Sequence, residues 1–212
     1  MWTRLIAGTA AHDVNNLAQG LLNLLALAED PGATRELVAQ YVELARGGLS
    51  ELKRLGTELR ALADARVDEP AQRVELACSD ALVEVEPPAG RRLEPGPLAP
   101  DLLVRASAAG LRLGISALLQ HALAASAPGT AVRLSAARDA AGVAVLVDAP
   151  GAPALRAAGQ SPVSSLLVGP ERELSGGRLV FAGALAAQLG GELSVEPGAG
   201  AGQRFRLWLP AA

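Results

Sequence analysis

The chain contains two histidines, His12 and His121, and histidine is the side chain best suited to gain and release a transferable group near neutral pH. Asp13 follows His12 directly, Asn16 lies four residues on, and Gln19 and Asn23 come at further steps of three and four. On a helix these residues share one face. Thr9 and Asp13 border the stripe, and Gly20 opens a gap in it one turn past Asn16, where a partner can approach closely. A neutral imidazole is a competent nucleophile that forms a labile N–P bond. An adjacent carboxylate such as Asp13 can hold the proton on one ring nitrogen and leave the other free to attack. A merely solvated helix face would carry Glu and Lys; this one carries amides, an imidazole and a glycine, poorer helix formers. Such departures from local preference concentrate at functional sites.

The elements that must position His12 are two long helices. Ala10, Val14, Leu17, Leu21, Leu24 and Ala28 recur at alternating steps of four and three, the spacing of a coiled-coil seam. His12 lies two positions from Ala10 and from Val14, about 200° around the helix, and so points away from that seam. Leu5, Leu22, Leu25 and Leu27 widen the apolar stripe beyond what one partner helix covers. Asp30-Pro31-Gly32 breaks the helix, with Asp30 as N-cap and Pro31 at the first position of the next. The second helix is expected over Ala33 to Ala65, its seam at Tyr41, Leu44, Gly48, Leu52, Leu55, Leu59 and Leu62. A lone hairpin cannot bury such broad apolar faces. Two copies forming a four-helix bundle can, so a homodimer is expected.

Ala11-His12-Asp13-Val14-Asn15-Asn16-Leu17 resembles the phosphoacceptor motif of sensor histidine kinases, in which His precedes an acidic residue and an Asn or Thr follows four residues after it. In that family the motif sits on the first helix of a dimerising helical hairpin. The resemblance implies that His12 carries a phosphoryl group, that Asp13 assists its transfer, and that Asn16 can orient a water for dephosphorylating the partner. It also implies response-regulator receiver domains as partners, each bringing its own Mg²⁺, with Thr9, Gln19, Gly20 and Asn23 at the docking face.

Composition narrows the alternatives. Half of the 212 residues are apolar, enough for a core, but only 2% are aromatic, so that core must be built from Leu, Val and Ala. With 19 basic and 22 acidic residues the net charge is -3, which gives no electrostatic footprint for nucleic acid or anionic membrane. Cys78 is the only cysteine; it excludes an internal disulfide, fits a reducing cytoplasm, and is expected as a small core residue. Met1 to Ala11 lacks a secretory signal, and Leu17 to Ala28 is too short and too polar to span a bilayer. A cytoplasmic protein is expected.

Val67 to Arg73 reads as a linker, which divides the chain into a hairpin domain over residues 1–66 and a second domain over 74–212. Beyond it Val74 to Ala77 and Leu82 to Glu86 are expected as short strands, and Pro87 to Pro100 as an irregular stretch. A helix over Ser107 to Ser126, strands over Ala131 to Ala137 and Val143 to Asp148, and a long loop over Gly151 to Leu174 follow. A helix over Ser175 to Leu189 then leads to a hairpin of Glu192 to Glu196 and Arg204 to Leu209. Helices on one face of a mostly antiparallel sheet make this half α+β.

This half resembles the ATP-binding domain of the same kinases from Val74 onward. Leu118-Leu119-Gln120-His121-Ala122-Leu123 matches the helix that carries the family's Mg²⁺-coordinating Asn, whose position falls on His121. Val145-Leu146-Val147-Asp148-Ala149-Pro150-Gly151 resembles the strand ending in Asp-x-Gly-x-Gly that reads adenine, with Asp148 kept and the glycine one residue short. Ser175-Gly176-Gly177-Arg178-Leu179 stands for the phosphate-cradling Gly-x-Gly loop, with Gly176 kept and Arg178 in place of the second glycine. The resemblance therefore implies a degenerate domain: Asp148 and Gly176 as remnants, no cofactor bound by this chain, and no metal. His121 has no ligand companion and is expected as a packed or surface residue. Only eleven residues precede His12, so no sensor region is expected ahead of it. Together these features predict a dimeric histidine phosphotransferase. The other readings are a divergent kinase fed by a separate sensor, and a non-catalytic scaffold that docks response regulators.

Overall fold

The computed structural model describes residues 2–30, 32–65, 69–152, 161–162, 172–198 and 202–212; the side chains of 2–9, 12, 161–162 and 172–177 fall outside that description. The chain falls into two compact units, one over Thr3–Arg60 and the other over Ala61–Ala212.

The first unit is a helical hairpin of α1 (Trp2–Ala28) and α2 (Arg35–Asp64). The seam of α1 turns inward as its spacing requires. Leu17, Leu21 and Leu24 are half-buried, and Leu21 lies against Gly48, where an added Cβ would stand 3.4 Å from its Cδ2. Asp30 caps the connecting turn rather than α2, its Oδ1 accepting from the Gly32 N–H at 2.8 Å. The cap of α2 is Thr34, whose Oγ1 accepts from the Leu37 N–H three residues on. Leu22 is 60% exposed and Leu44 61%, so the hairpin leaves much of its leucine surface uncovered.

The second unit is a two-layer α+β sandwich. Strands β1 (Ala71–Arg73) and β3 (Leu103–Arg105) form a small antiparallel pair. The main sheet contains β2 (Arg92–Leu98), β4 (Ala131–Asp139), β5 (Gly142–Ala149), β6 (Ser161–Pro162), β7 (Glu192–Pro197) and β8 (Gln203–Pro210). Its order is β2-β4-β5-β8-β7-β6; β2 and β4 run parallel and all other neighbours antiparallel. Helices α3 (Val74–Glu84), α4 (Ala108–Ala125) and α5 (Arg172–Gln188) complete it. In β8 the odd residues Phe205, Leu207 and Leu209 are buried, while Arg204, Arg206 and Trp208 are only half-buried on the other face. The buried face joins Ile115, Leu118 and Leu119 of α4 and Leu179 and Leu185 of α5 in one aliphatic core, as the scarcity of aromatics requires. Gly114 lets α5 close on α4: a Cβ there would meet Leu185 Cδ2 at 2.7 Å.

Several expectations are corrected. The two short strands expected at Val74–Ala77 and Leu82–Glu86 are one helix, α3, followed by an extended Val85. Its buried residues Val74, Ala77, Cys78 and Ala81 follow the helical spacing of three and four, whereas the exposed Leu76 and Val83 interrupt that pattern in the sequence. The expected linker ends early, because Ala71–Arg73 pairs with Leu103–Arg105. The Pro/Gly-rich stretch contains β2, with Pro95 and Pro97 inside it. That strand sits at the sheet's edge, where a missing N–H is tolerated. Of the expected loop over Gly151 to Leu174, residues 153–160 and 163–171 lie outside the described residues. Ser161–Pro162 pair with β7, and α5 begins at Arg172, three residues before the expected start.

Candidate functional site

His12 lies in the middle of α1, and its side chain falls outside the described residues, as does that of Thr9. Around it, Asp13 is half-buried and Asn16 exposed. Further along the same face Gln19 Nε2 donates to Asn23 Oδ1 at 3.0 Å, the i,i+4 amide pairing that helical geometry allows. A Cβ built on Gly20 would meet nothing within 4 Å, so the gap expected in the stripe is open space. The stripe therefore presents amide donors and acceptors and an open backbone position on one helix, with the leucine seam beside it.

The C-terminal positions are arranged differently. His121 stands edge-on to Phe205, ring centroids 5.1 Å apart and planes 85° from parallel. Burial, and next the charge of Arg178, lower its pKa to about 4, so it is neutral across the physiological range. Arg178 Nε donates to Gln120 Oε1 at 2.8 Å, a side-chain bond from α5 to α4. Among the described residues no group of three or more His, Cys, Asp or Glu could hold a metal ion. Cys78 is fully buried, and burial pushes its thiol up to about 12, which makes it an inert core residue.

Asp148 does not belong to this neighbourhood. It stands opposite Arg204 in the β5–β8 register and takes a two-pronged guanidinium contact from it, at 2.7 and 3.2 Å. Arg204 lies on the sheet face opposite Phe205, and Phe205 is the residue that touches His121. The inward-facing residue at this strand end is Ala149, 1% exposed. Gly151 follows two positions later in a left-handed turn, φ +69°, with a would-be Cβ 2.7 Å from that of Ala127. The inward-facing positions at this strand end, Val147 and Ala149, therefore carry no carboxylate. Gly176 lies within the first turns of α5 and not in a loop.

No protein-family model and no curated protein matches the chain. Solved structures do match. The Acinetobacter baumannii histidine kinase AdeS is 16% identical with a TM-score of 0.61, over 94% of this chain and 97% of its own. The fold is that of a histidine kinase core. Full-length ShkA in complex with AMPPNP is 20% identical with a TM-score of 0.56, over 98% of this chain but 45% of its own. The ATP-binding domain of PrrB from Mycobacterium tuberculosis is 22% identical with a TM-score of 0.52, over 68% of this chain and 98% of its own. The likeness is one of architecture: a helical hairpin followed by an α+β domain. Among the described residues, no helix of this kinase-like chain is long and apolar enough to cross a membrane.

Proposed function

We propose that the chain is a histidine phosphotransferase of two-component signalling, carrying a phosphoryl group on His12 between receiver-domain aspartates. The observation that carries this reading is His12-Asp13-x-x-Asn16 on the first helix of a helical hairpin, within an uncharged stripe completed by Gln19 and Asn23.

The unprotonated ring nitrogen of His12 attacks the aspartyl phosphate of the donor. The N–P bond forms as the P–O bond to aspartate breaks, and the carboxylate leaves with the electron pair. The other ring nitrogen keeps its proton, which Asp13 holds in place. Transfer to a second receiver runs the same exchange in reverse and regenerates the imidazole. A Mg²⁺ held by the receiver would supply charge neutralisation at the phosphoryl oxygens, and this chain supplies the nucleophile and its alignment. Asn16 orients the water that dephosphorylates a docked receiver. Thr9, Gln19, Gly20 and Asn23 form the docking strip, Gly20 admitting the partner's backbone. A second copy covers the leucines left exposed on the hairpin, Leu22, Leu25, Leu44 and Leu49 among them, as a four-helix bundle does.

A second reading, a divergent kinase, is favoured by the likeness to full-length ShkA, solved in complex with AMPPNP. One experiment separates the two. The chain and its His12→Ala variant are incubated in parallel with a ³²P-phosphorylated receiver domain and with γ-labelled MgATP. The phosphotransferase gains acid-labile label from the receiver alone, and only with His12 present. His12-dependent label from ATP would make the chain a kinase.

A further inference from the structure

Nucleotide-binding kinase domains of this fold imply an adenine nucleotide, and the residues at the matching positions do not fit one. Asp148 is turned to the other sheet face and held by Arg204, and the inward residues beside it, Val147 and Ala149, offer adenine no carboxylate to accept a hydrogen bond. His121 is packed edge-on against Phe205 and has no metal-ligand companions among the described residues. Arg178 puts a long side chain where a cradling loop needs a bare backbone. That side chain has been given other work: its guanidinium reaches from α5 to the Gln120 carboxamide on α4 at 2.8 Å.

The bond also sits where helix packing changes character. Toward one end of the pair, Leu185 lies against Gly110 and Gly114, with would-be Cβ distances of 3.7 and 2.7 Å, and at Gly114 only the missing side chain admits it. Those contacts run from residues 110 and 114 to 185, and the bond from 120 to 178, so the helices are antiparallel, apolar at one end and bridged at the other. Gln120 and Arg178 are half-buried, which shields the bond from competing water and strengthens it relative to an exposed one.

We infer that the Arg178–Gln120 bridge is a built-in clamp that holds α4 and α5 together without a nucleotide, and that Ala149, His121 and Arg178 close this face to adenine nucleotides. The clamp rests on the phosphotransferase reading only in that both make ATP unnecessary; it concerns different residues and a different unit.

The test uses the full chain. Isothermal titration of the wild type with MgATP and with MgADP gives no saturable heat, and neither ligand moves its thermal midpoint. Saturable binding by the wild type would overturn the inference, while leaving transfer from a receiver to His12 intact as a separate result. Gln120→Ala, which keeps Arg178 but removes its acceptor, lowers the midpoint of the wild-type chain; an unchanged midpoint would overturn the clamp. The triple variant His121→Asn, Ala149→Asp, Arg178→Gly gains saturable MgATP binding. A triple variant with wild-type circular dichroism and no binding would overturn the assignment of closure to these three residues.

Discussion

The two units treat their polar and apolar surfaces in opposite ways. The hairpin leaves leucines uncovered, with Leu22, Leu25, Leu44 and Leu49 each more than half exposed, and lines α1 with an open polar stripe around Gly20. The sandwich buries most of its aliphatic side chains, Leu76 and Val83 of α3 being exceptions, and bonds polar groups to one another, Asp148 with Arg204 and Arg178 with Gln120. A surface left incomplete is one that awaits a partner; a surface that satisfies itself is a scaffold. On the function proposed above, exchange with other molecules belongs to the hairpin and the second unit supports it.

The largest effect that would sharpen this contrast is in the sandwich core. Leu118 and Leu207 are essentially inaccessible, so Leu118→Ala or Leu207→Ala should cost about 2–5 kcal/mol, read by urea unfolding. A cost below about 1 kcal/mol would mean that the core is not the tight layer described.

Next comes acid sensitivity. The folded pKa of His121, about 4, lies below its ordinary 6.5, so between these values the unfolded chain binds the proton more readily. Its contribution is therefore complete above pH 6.5 and is lost as pH falls toward 4, by up to about 3 kcal/mol. His121→Gln should flatten the pH dependence of stability in that window; an unchanged slope would show that His121 titrates as if exposed.

In the hairpin, the double substitution Leu22→Glu, Leu25→Glu should cost a single folded copy less than about 1 kcal/mol, because both side chains already face water. On the proposed four-helix bundle it should nevertheless leave the protein monomeric in light scattering, where the wild type is a dimer. A dimer that survives would move the association surface elsewhere.

The smallest effect is at the outer sheet face. A double-mutant cycle of Asp148→Ala and Arg204→Ala should give about 0.2–1 kcal/mol of coupling, because the Arg204 side chain is 35% exposed. A much larger coupling would make Asp148 more than a surface ion-pair partner.

What the sequence disclosed follows from where strong periodicity coincides with burial. The α1 seam, α4 with its Ser107 cap, and the β4, β5, β7 and β8 strands were legible because their apolar spacing is regular and their ends carry caps or turns. Helix α3 was not, since Leu76 and Val83 put leucine and valine on its exposed side and hid the three-four rhythm of Val74, Ala77, Cys78 and Ala81. Strand β2 was concealed by Pro95 and Pro97, which only an edge position accommodates. The candidate stripe on α1 is local, four residues at helical spacing, and a motif can reveal it. The Arg178–Gln120 bond joins residues 58 apart, and nothing in the sequence pairs them. The face of Asp148 was readable in principle, since Val145, Val147 and Ala149 share the inward parity of the strand and Asp148 does not.

The central claim is that His12 relays phosphate. It is tested most directly by mixing a ³²P-phosphorylated receiver domain, a second unphosphorylated receiver and catalytic amounts of the chain, and following label on the second receiver. The wild type should move label onto the second receiver over many turnovers, and His12→Ala should move none. Label that moves equally with His12→Ala, or that never leaves the donor in the presence of wild-type protein folded as a dimer, would contradict the account.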